Sequence, residues 1–140
     1  MTDTLPAAGS SVLEHPDIHR WIEAFRRRGG VVSTGPEIDA YLASRGAYAV
    51  TFDAKTICLA SDATRSSVFE EFIHAAQHRT GQFAKASSRH GTARAVAMME
   101  ADAAERLIRH RHEWSLPNAE TRETTRRLRE FRRQLERITG

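Results

Sequence analysis

Cysteine is almost missing from this chain, since Cys58 is alone among 140 residues. A single cysteine excludes an intrachain disulfide and a zinc site built from several thiolates. It also excludes the zinc deaminases, whose signature needs a Cys-x-x-Cys pair. Cys58 lies between Ile57 and Leu59 in a predicted strand, so we expect a small buried hydrophobic side chain rather than a nucleophile.

Long apolar runs are missing as well. No stretch approaches the roughly 18–20 apolar residues of a membrane span. The first residues, MTDTLPAAGSSVLEH, have neither the positive cluster nor the apolar run of a signal peptide. The glycine patterns of P-loops and dinucleotide sites are absent, and no serine has the flanking glycines of a hydrolase elbow. The sequence therefore disfavours a membrane protein, a nucleotide-binding enzyme and a serine hydrolase.

Lysine is scarce, because Lys55 and Lys85 are the only two, and the formal net charge is +3. Arginine supplies the other 19 basic residues, and many of them lie in the predicted last helix. Glutamates alternate with those arginines at spacings that allow i,i+3 and i,i+4 ion pairs. We therefore expect a salt-bridged outer face, and this pattern disfavours a nucleic-acid partner.

The chain length suits one domain, and we expect a flexible leader over 1–14 followed by a single domain over 15–140. Apolar spacing, glycines and prolines predict helices over 18–28, 37–46, 64–79, 92–114 and 119–138 and strands over 31–34, 47–54 and 56–61. The segment 81–91, with two glycines and two serines, is predicted as a loop. The order helix, strand, helix, strand hairpin and three helices indicates an α+β fold.

The helix predicted over 64–79 carries most of the chemistry. At about 100° per residue, one face gathers Glu70, Glu71, His74, Gln77 and His78, and the opposite face is apolar. Residues spaced i,i+4 on one helix can reach a single metal ion, and both Glu70–His74 and His74–His78 have that spacing. The alternative is an ordinary solvated polar face, and the pattern alone leaves both interpretations open.

Glu100 is the second unusual carboxylate. It lies at the edge of the apolar stripe of the next long helix, which we predict to contain Val96, Met99, Ala103, Ala104, Leu107 and Ile108. A carboxylate in such a place is costly unless it is paired or bound to a metal. An arginine partner and a metal ion are therefore the two alternatives for Glu100. Asp102 is predicted on the outer side, in line with Arg106 and Arg109.

The segment VFEEFIHAAQHRTG resembles the active-site helix of the zincin metallopeptidases, whose motif is H-E-x-x-H. More narrowly, the chain resembles the zincin-like metallopeptidase toxin domains found at the C-termini of bacterial polymorphic toxins. Three further segments agree in order and spacing: Glu100-Ala101-Asp102-Ala103, Leu107-Ile108-Arg109 and Pro117-Asn118-Ala119-Glu120-Thr121. The resemblance covers about residues 47–137.

The resemblance implies roles for individual residues. His74 matches the second histidine of the motif, a metal ligand; Glu71 matches the general base; and Glu100 would be the third ligand. Glu70 departs from the motif, because it stands where the first histidine is expected. A carboxylate can ligate zinc, although two glutamates and one histidine also suit Mn²⁺ or Fe²⁺. His78 is a substitute ligand in a second scheme, which we do not prefer because Gln77 would then stand where the general base is needed.

The resemblance also implies a fold and a function. We expect a small zincin-like domain in which a strand hairpin precedes the active-site helix and two further long helices follow. The expected activity is metal-dependent hydrolysis of a protein or peptide held along an edge strand. The expected biology is a secreted toxin or effector domain that acts in a target-cell cytoplasm and has a cognate immunity protein. A cytoplasmic enzyme is one alternative, and a metal-free scaffold that binds protein or nucleic acid is another; the oligomeric state stays open.

Overall fold

The computed structural model describes residues 11–139 and shows a mixed α+β fold, which confirms the predicted class. The first ten residues of the predicted leader lie outside this range, and a single 3-10 turn follows at Val12–Glu14. In chain order the elements are α1 (Pro16–Arg27), β1 (Val31–Ser33), α2 (Pro36–Ser44), β2 (Ala49–Asp53), β3 (Thr56–Leu59), α3 (Arg65–Arg79), α4 (Gln82–His90), α5 (Thr92–Arg109) and α6 (Asn118–Thr139).

The chain divides into two compact units, one ending at Ala75 and the other beginning at Ala76. The boundary falls inside α3, which runs without interruption from Arg65 to Arg79. Within residues 11–139, none of the helices combines the length and apolarity that crossing a membrane requires.

The sheet of the first unit has the strand order β1-β3-β2. The predicted hairpin is confirmed, since β2 pairs antiparallel with β3, and β1 pairs parallel with the other edge of β3. The middle strand is covered on both faces: Ile57 and Leu59 are 0% exposed and Cys58 is 5% exposed. Cys58 packs against Leu42 of α2, so the prediction of a buried, hydrophobic cysteine is confirmed.

Helix α1 supplies the rest of this core. Ile18, Ile22 and Phe25 are buried at the helical spacing that the sequence shows. Phe25 also meets Phe72 of α3 edge to face, with ring centroids 5.4 Å apart, and Trp21 meets Phe69 in the same way at 5.2 Å. Such aromatic pairs add to the free energy gained from burial alone. They fix the N-terminal part of α3 against α1.

An ion pair joins the same two helices. Arg65, at the start of α3, is 8% exposed, and its guanidinium donates to both carboxylate oxygens of Asp17 on α1. The ring Nδ1 of His15 lies 3.1 Å from the same guanidinium. The hydrogen bond from Arg65 lowers the pKa of Asp17 below its ordinary value. The ionised form of Asp17 is therefore stabilised in the folded state.

We expect Asp17→Asn to lower the free energy of unfolding at pH 7 by about 1–2 kcal/mol, because it weakens a charged hydrogen bond to a buried arginine. When the pKa of a carboxyl group is lower in the folded state than in the unfolded state, the group stabilises the folded state at any pH above its unfolded-state pKa. This contribution is lost as the pH falls through the folded-state pKa. The difference from the wild type should therefore shrink in acid. Urea unfolding at pH 7 and at about pH 3 measures it. The control is Glu23→Gln, which removes an exposed ion pair to Arg26 and should change stability by less than about 0.5 kcal/mol at pH 7.

The prediction of a loop over 81–91 is wrong, because residues Gln82–His90 form helix α4. Gly81 and Gly91 have positive φ angles of 77° and 86°, so they bracket a helix instead of marking a loop. Ala86 packs against Ala95 and Met99, with Phe83 beside them. This burial stabilises a segment whose composition alone is ambiguous. Two further long helices were expected after α3, and the short α4 precedes them.

Helix α5 is buried on several sides, since alanines at 95, 97, 101, 103 and 104 are all buried. It ends at Arg109 rather than near 114, and turns follow in which His110 stacks on Trp114 with ring centroids 4.6 Å apart. The predicted apolar stripe is wrong at Val96, which is 48% exposed. The small alanine side chains allow helices to approach on more than one face, so the helix has no single apolar stripe.

Helix α6 packs on α5 through Leu128, Phe131 and Leu135, which meet Ala101 and Ala104. The helix predicted over 119–138 therefore buries an apolar stripe up to Leu135, whereas Ile138 is 46% exposed. The outer face carries ion pairs of the expected i,i+3 kind, Arg126–Glu123 and Arg133–Glu130. Arg132 reaches Glu105 on α5 at 3.1 Å.

Candidate metal centre

Helix α3 is the element that positions the candidate ligands. Its start is fixed by a reciprocal cap, in which the Thr64 N–H donates to Ser67 Oγ at 3.0 Å and the Ser67 N–H donates to Thr64 Oγ1 at 3.1 Å. The cap satisfies backbone donors that a helix N-terminus leaves open. Thr64 is therefore the residue that caps α3.

The polar face of α3 is not a solvated surface. Glu71 is 8% exposed and Gln77 is 2% exposed. The side chains of Glu70 and His74 are 12% and 15% exposed. Burial of this many polar groups carries a cost that bonds to partners or to an ion must offset. The interpretation of an ordinary solvated face, which the sequence left open, therefore does not hold for these four residues.

Glu70 and His74 face each other across one helical turn. The Nε2 atom of His74 lies 3.6 Å from the Oε2 atom of Glu70. Two ligands of one tetrahedral zinc ion, each about 2.1 Å from the metal, are separated by about 3.4 Å. These two side-chain atoms thus lie at nearly the separation that a shared ion requires.

Glu100 completes the group. One carboxylate oxygen each of Glu70 and Glu100 and one imidazole nitrogen of His74 all lie within 4.8 Å of one another. These three side chains are half-buried, and together they could hold a metal ion. Two carboxylate oxygens and one imidazole nitrogen are donors that zinc accepts. The donors present therefore fit such an ion.

The buried carboxylate of Glu71 lies beside the strand hairpin. Thr51 of β2 donates its hydroxyl to Glu71 Oε1 at 2.7 Å, and the backbone carbonyl oxygen of Glu71 lies 3.0 Å from the same hydroxyl. This bond fixes the carboxylate against the edge of the sheet. Sequence reasoning missed Thr51, because nothing in a single strand shows which helix its hydroxyl will meet.

His78 is not part of the three-ligand group found within residues 11–139. Its side chain is exposed, and its ring lies 5.3 Å from that of Phe83 at the start of α4. The arrangement found therefore corresponds to the preferred ligand scheme, and His78 takes no part in it.

Gln77 and Asp102 form a hydrogen bond that the sequence analysis did not predict. The Gln77 amide donates to Asp102 Oδ2 at 2.9 Å and to the Met99 carbonyl oxygen at 3.0 Å. Asp102 was expected on the outer side with Arg106; the ion pair to Arg106 is present at 3.1 Å, but the same carboxylate also meets a buried glutamine. The available signal was the helical wheel, which places Gln77 beside the candidate ligands.

Cys58 offers no reactive thiol. It is buried and free, and burial raises the pKa of its thiol above the ordinary value. A raised pKa leaves less thiolate at neutral pH, and the thiolate is the reactive form.

Comparison of the chain with protein-family models, curated proteins and solved structures finds no match in any of the three. The functional interpretation therefore depends on the residues of the centre itself.

Proposed function

We propose that this chain is a metal-dependent hydrolase that cleaves an amide bond of a protein or peptide. The observation that carries the proposal is the group formed by Glu70, His74 and Glu100, whose ligand atoms lie within 4.8 Å of one another. Glu71, the residue after Glu70, supplies a buried carboxylate for proton transfer. The resemblance of this helix to the zincin motif supports the same assignment of roles.

Glu70, His74 and Glu100 are the residues that would hold the ion. Zinc is the first candidate because imidazole and carboxylate are both common zinc ligands. Mn²⁺ and Fe²⁺ are the alternatives, since a set with two carboxylates is harder than a histidine-rich set. When bound, such an ion polarises the scissile carbonyl group and lowers the pKa of water.

Glu71 acts as general base and then as general acid. Its carboxylate takes a proton from the attacking water as the water oxygen bonds to the carbonyl carbon. It then gives that proton to the amine nitrogen as the C–N bond breaks. Thr51 holds the carboxylate in one orientation through the bond to Oε1, which limits the rotamers that the base can adopt.

Strand β2 is the element on which we place the substrate. Within residues 11–139 it pairs only with β3, so it is an edge of the sheet. Because β2 carries Thr51, which bonds Glu71, a peptide added along this strand would run close to the general base. Main-chain hydrogen bonds to an edge strand recognise an extended peptide without demanding a particular side chain.

The biological role that we propose is that of a secreted effector or toxin domain with a cognate immunity protein. This part of the proposal is supported by the resemblance of residues 47–137 to the toxin domains. Expression of the chain in a bacterial host should then slow growth, and an inactive variant should not.

The proposal is tested with the full chain, purified without chelator. We expect about one equivalent of metal per chain, and we expect zinc added to EDTA-treated protein to raise the melting temperature. A ligand at 100 times its Kd stabilises the folded state by about 2.7 kcal/mol, which corresponds to a shift of several degrees. Cleavage of a fluorescently labelled, denatured protein should be lost with EDTA and restored by zinc.

Two results would contradict the proposed metal-dependent hydrolysis. Sub-stoichiometric metal, together with a melting temperature that neither EDTA nor zinc changes, would contradict the proposal and favour the alternative of a metal-free binding module. Cleavage that persists in EDTA would show that the hydrolysis does not depend on these ligands.

A further inference from the structure

Gln77 is the most deeply buried of the polar side chains on α3, at 2% exposure. A side-chain amide has two N–H donors, and this one donates to two acceptors on α5: the Met99 carbonyl oxygen at 3.0 Å and Asp102 Oδ2 at 2.9 Å. A buried amide that meets acceptors on both a backbone and a side chain restrains the helix that carries them.

The carboxylate of Asp102 is itself held from several directions. Arg106 forms an ion pair with it at 3.1 Å, and Gln82 of α4 donates to the same oxygen at 3.3 Å. Arg106 also donates to Gln82 Oε1 at 3.4 Å. Gln77 therefore binds a pre-arranged acceptor, which gives its contact a defined direction.

The backbone acceptor of Gln77 is next to a candidate ligand. The Met99 carbonyl belongs to the peptide unit that also contains the N and Cα atoms of Glu100, and a peptide unit is planar. A hydrogen bond to this carbonyl therefore restrains the position of the Glu100 Cα atom. On α3, Gln77 comes three residues after His74, which places it one turn further along a continuous helix.

We infer that Gln77 is a positioning residue for the metal centre. Its amide restrains the α5 backbone at Met99, and thereby the position of the Glu100 Cα atom. This inference rests on the proposed function, because it concerns the affinity of the same centre. Partners behind metal ligands typically change metal affinity by about 10–100-fold when they are removed.

The test replaces Gln77 by methionine, which keeps the length and most of the volume but removes both donors. The control is Gln134→Met, the same change at an exposed glutamine of α6. We expect Gln77→Met to raise the zinc Kd of the folded chain about 10–100-fold and Gln134→Met to change it by less than about threefold. Competition with a chelating dye measures the Kd, and circular dichroism confirms that each variant is folded.

A purely structural role is distinguished by a second measurement. Cobalt in place of zinc reports the ligand geometry through its visible absorption spectrum, and we expect Gln77→Met to alter that spectrum. If the variant melts at a lower temperature but keeps the wild-type zinc Kd and cobalt spectrum, Gln77 only stabilises the fold and the inference is wrong. If Gln77→Met does not fold, Gln77→Asn replaces it: the amide is kept, but one methylene less prevents it from reaching both acceptors, and the same loss of affinity is expected.

Failure of the inference differs from failure of the proposed function. A wild-type chain that binds no zinc or cobalt overturns both. A wild-type chain that binds zinc as tightly as its Gln77→Met and Gln77→Asn variants overturns the inference alone.

Discussion

Replacing His74 by alanine should abolish stoichiometric zinc binding and, with it, zinc-dependent hydrolysis. His74 contributes the only nitrogen ligand of the candidate group, and its Nε2 atom lies 3.6 Å from the Glu70 carboxylate. Without it, only two carboxylate ligands remain, and structural zinc sites use four ligands and catalytic sites three. We expect the zinc affinity to fall by more than the about 10–100-fold that is typical of residues behind the ligands.

The matched control for this change is His78→Ala. His78 lies four residues further along the same helix, but its side chain is exposed and is not part of the three-ligand group. Its removal should leave the zinc Kd and the melting temperature of the zinc-bound chain nearly unchanged. If instead His78→Ala loses zinc and His74→Ala retains it, the ligand set that we propose is wrong and the alternative histidine is the ligand.

Glu71→Gln should lower the rate of hydrolysis by about 10²–10⁴-fold, the usual contribution of a general acid–base residue. Glutamine has the shape of glutamate and keeps an oxygen that can accept the Thr51 hydroxyl, but it cannot take up a proton from water. We therefore expect kcat to fall while the zinc affinity and the melting temperature stay close to those of the wild type. The measurement is cleavage of the labelled denatured protein at saturating zinc.

The control for the second change is Glu105→Gln, the same chemical substitution at an exposed glutamate of α5 that pairs with Arg132. Its rate should match that of the wild type. Hydrolysis that survives Glu71→Gln at an undiminished rate would mean that another group moves the proton. The role assigned to Glu71 would then have to be abandoned, even if the metal ligands were correct.

The parts of the fold that the sequence predicts are those where one apolar face decides the structure. The helix containing Ile18, Ile22 and Phe25 and the last helix up to Leu135 follow their spacing closely, because each packs along one stripe. The strand hairpin predicted over 47–61 is also present, as the antiparallel pair of β2 and β3. Helix α4 is not predicted, because two glycines and two serines resemble a loop, and its helical state depends on burial of Ala86 against α5.

The candidate site also contains residues that the sequence predicts and residues that it does not. The i,i+4 spacing on one helix is visible in the sequence and indicates Glu70 and His74, and the cost of a carboxylate near an apolar stripe indicates Glu100. The partners behind them, Thr51 and Gln77, depend on which elements meet. Hydrogen bonds between residues about 20 positions apart leave no periodic signal in a single chain.

The middle position of β3 has a consequence for how the first unit folds. Among the residues that the structure describes, both other strands pair with β3 alone, and the partner of Val31 is Thr56, which comes much later in the chain. During synthesis, the sheet therefore cannot begin to form before residues 56–59 have left the ribosome. The slow step should be closure of the long connection between β1 and β3, since non-local parallel pairing costs chain entropy before it gains contacts.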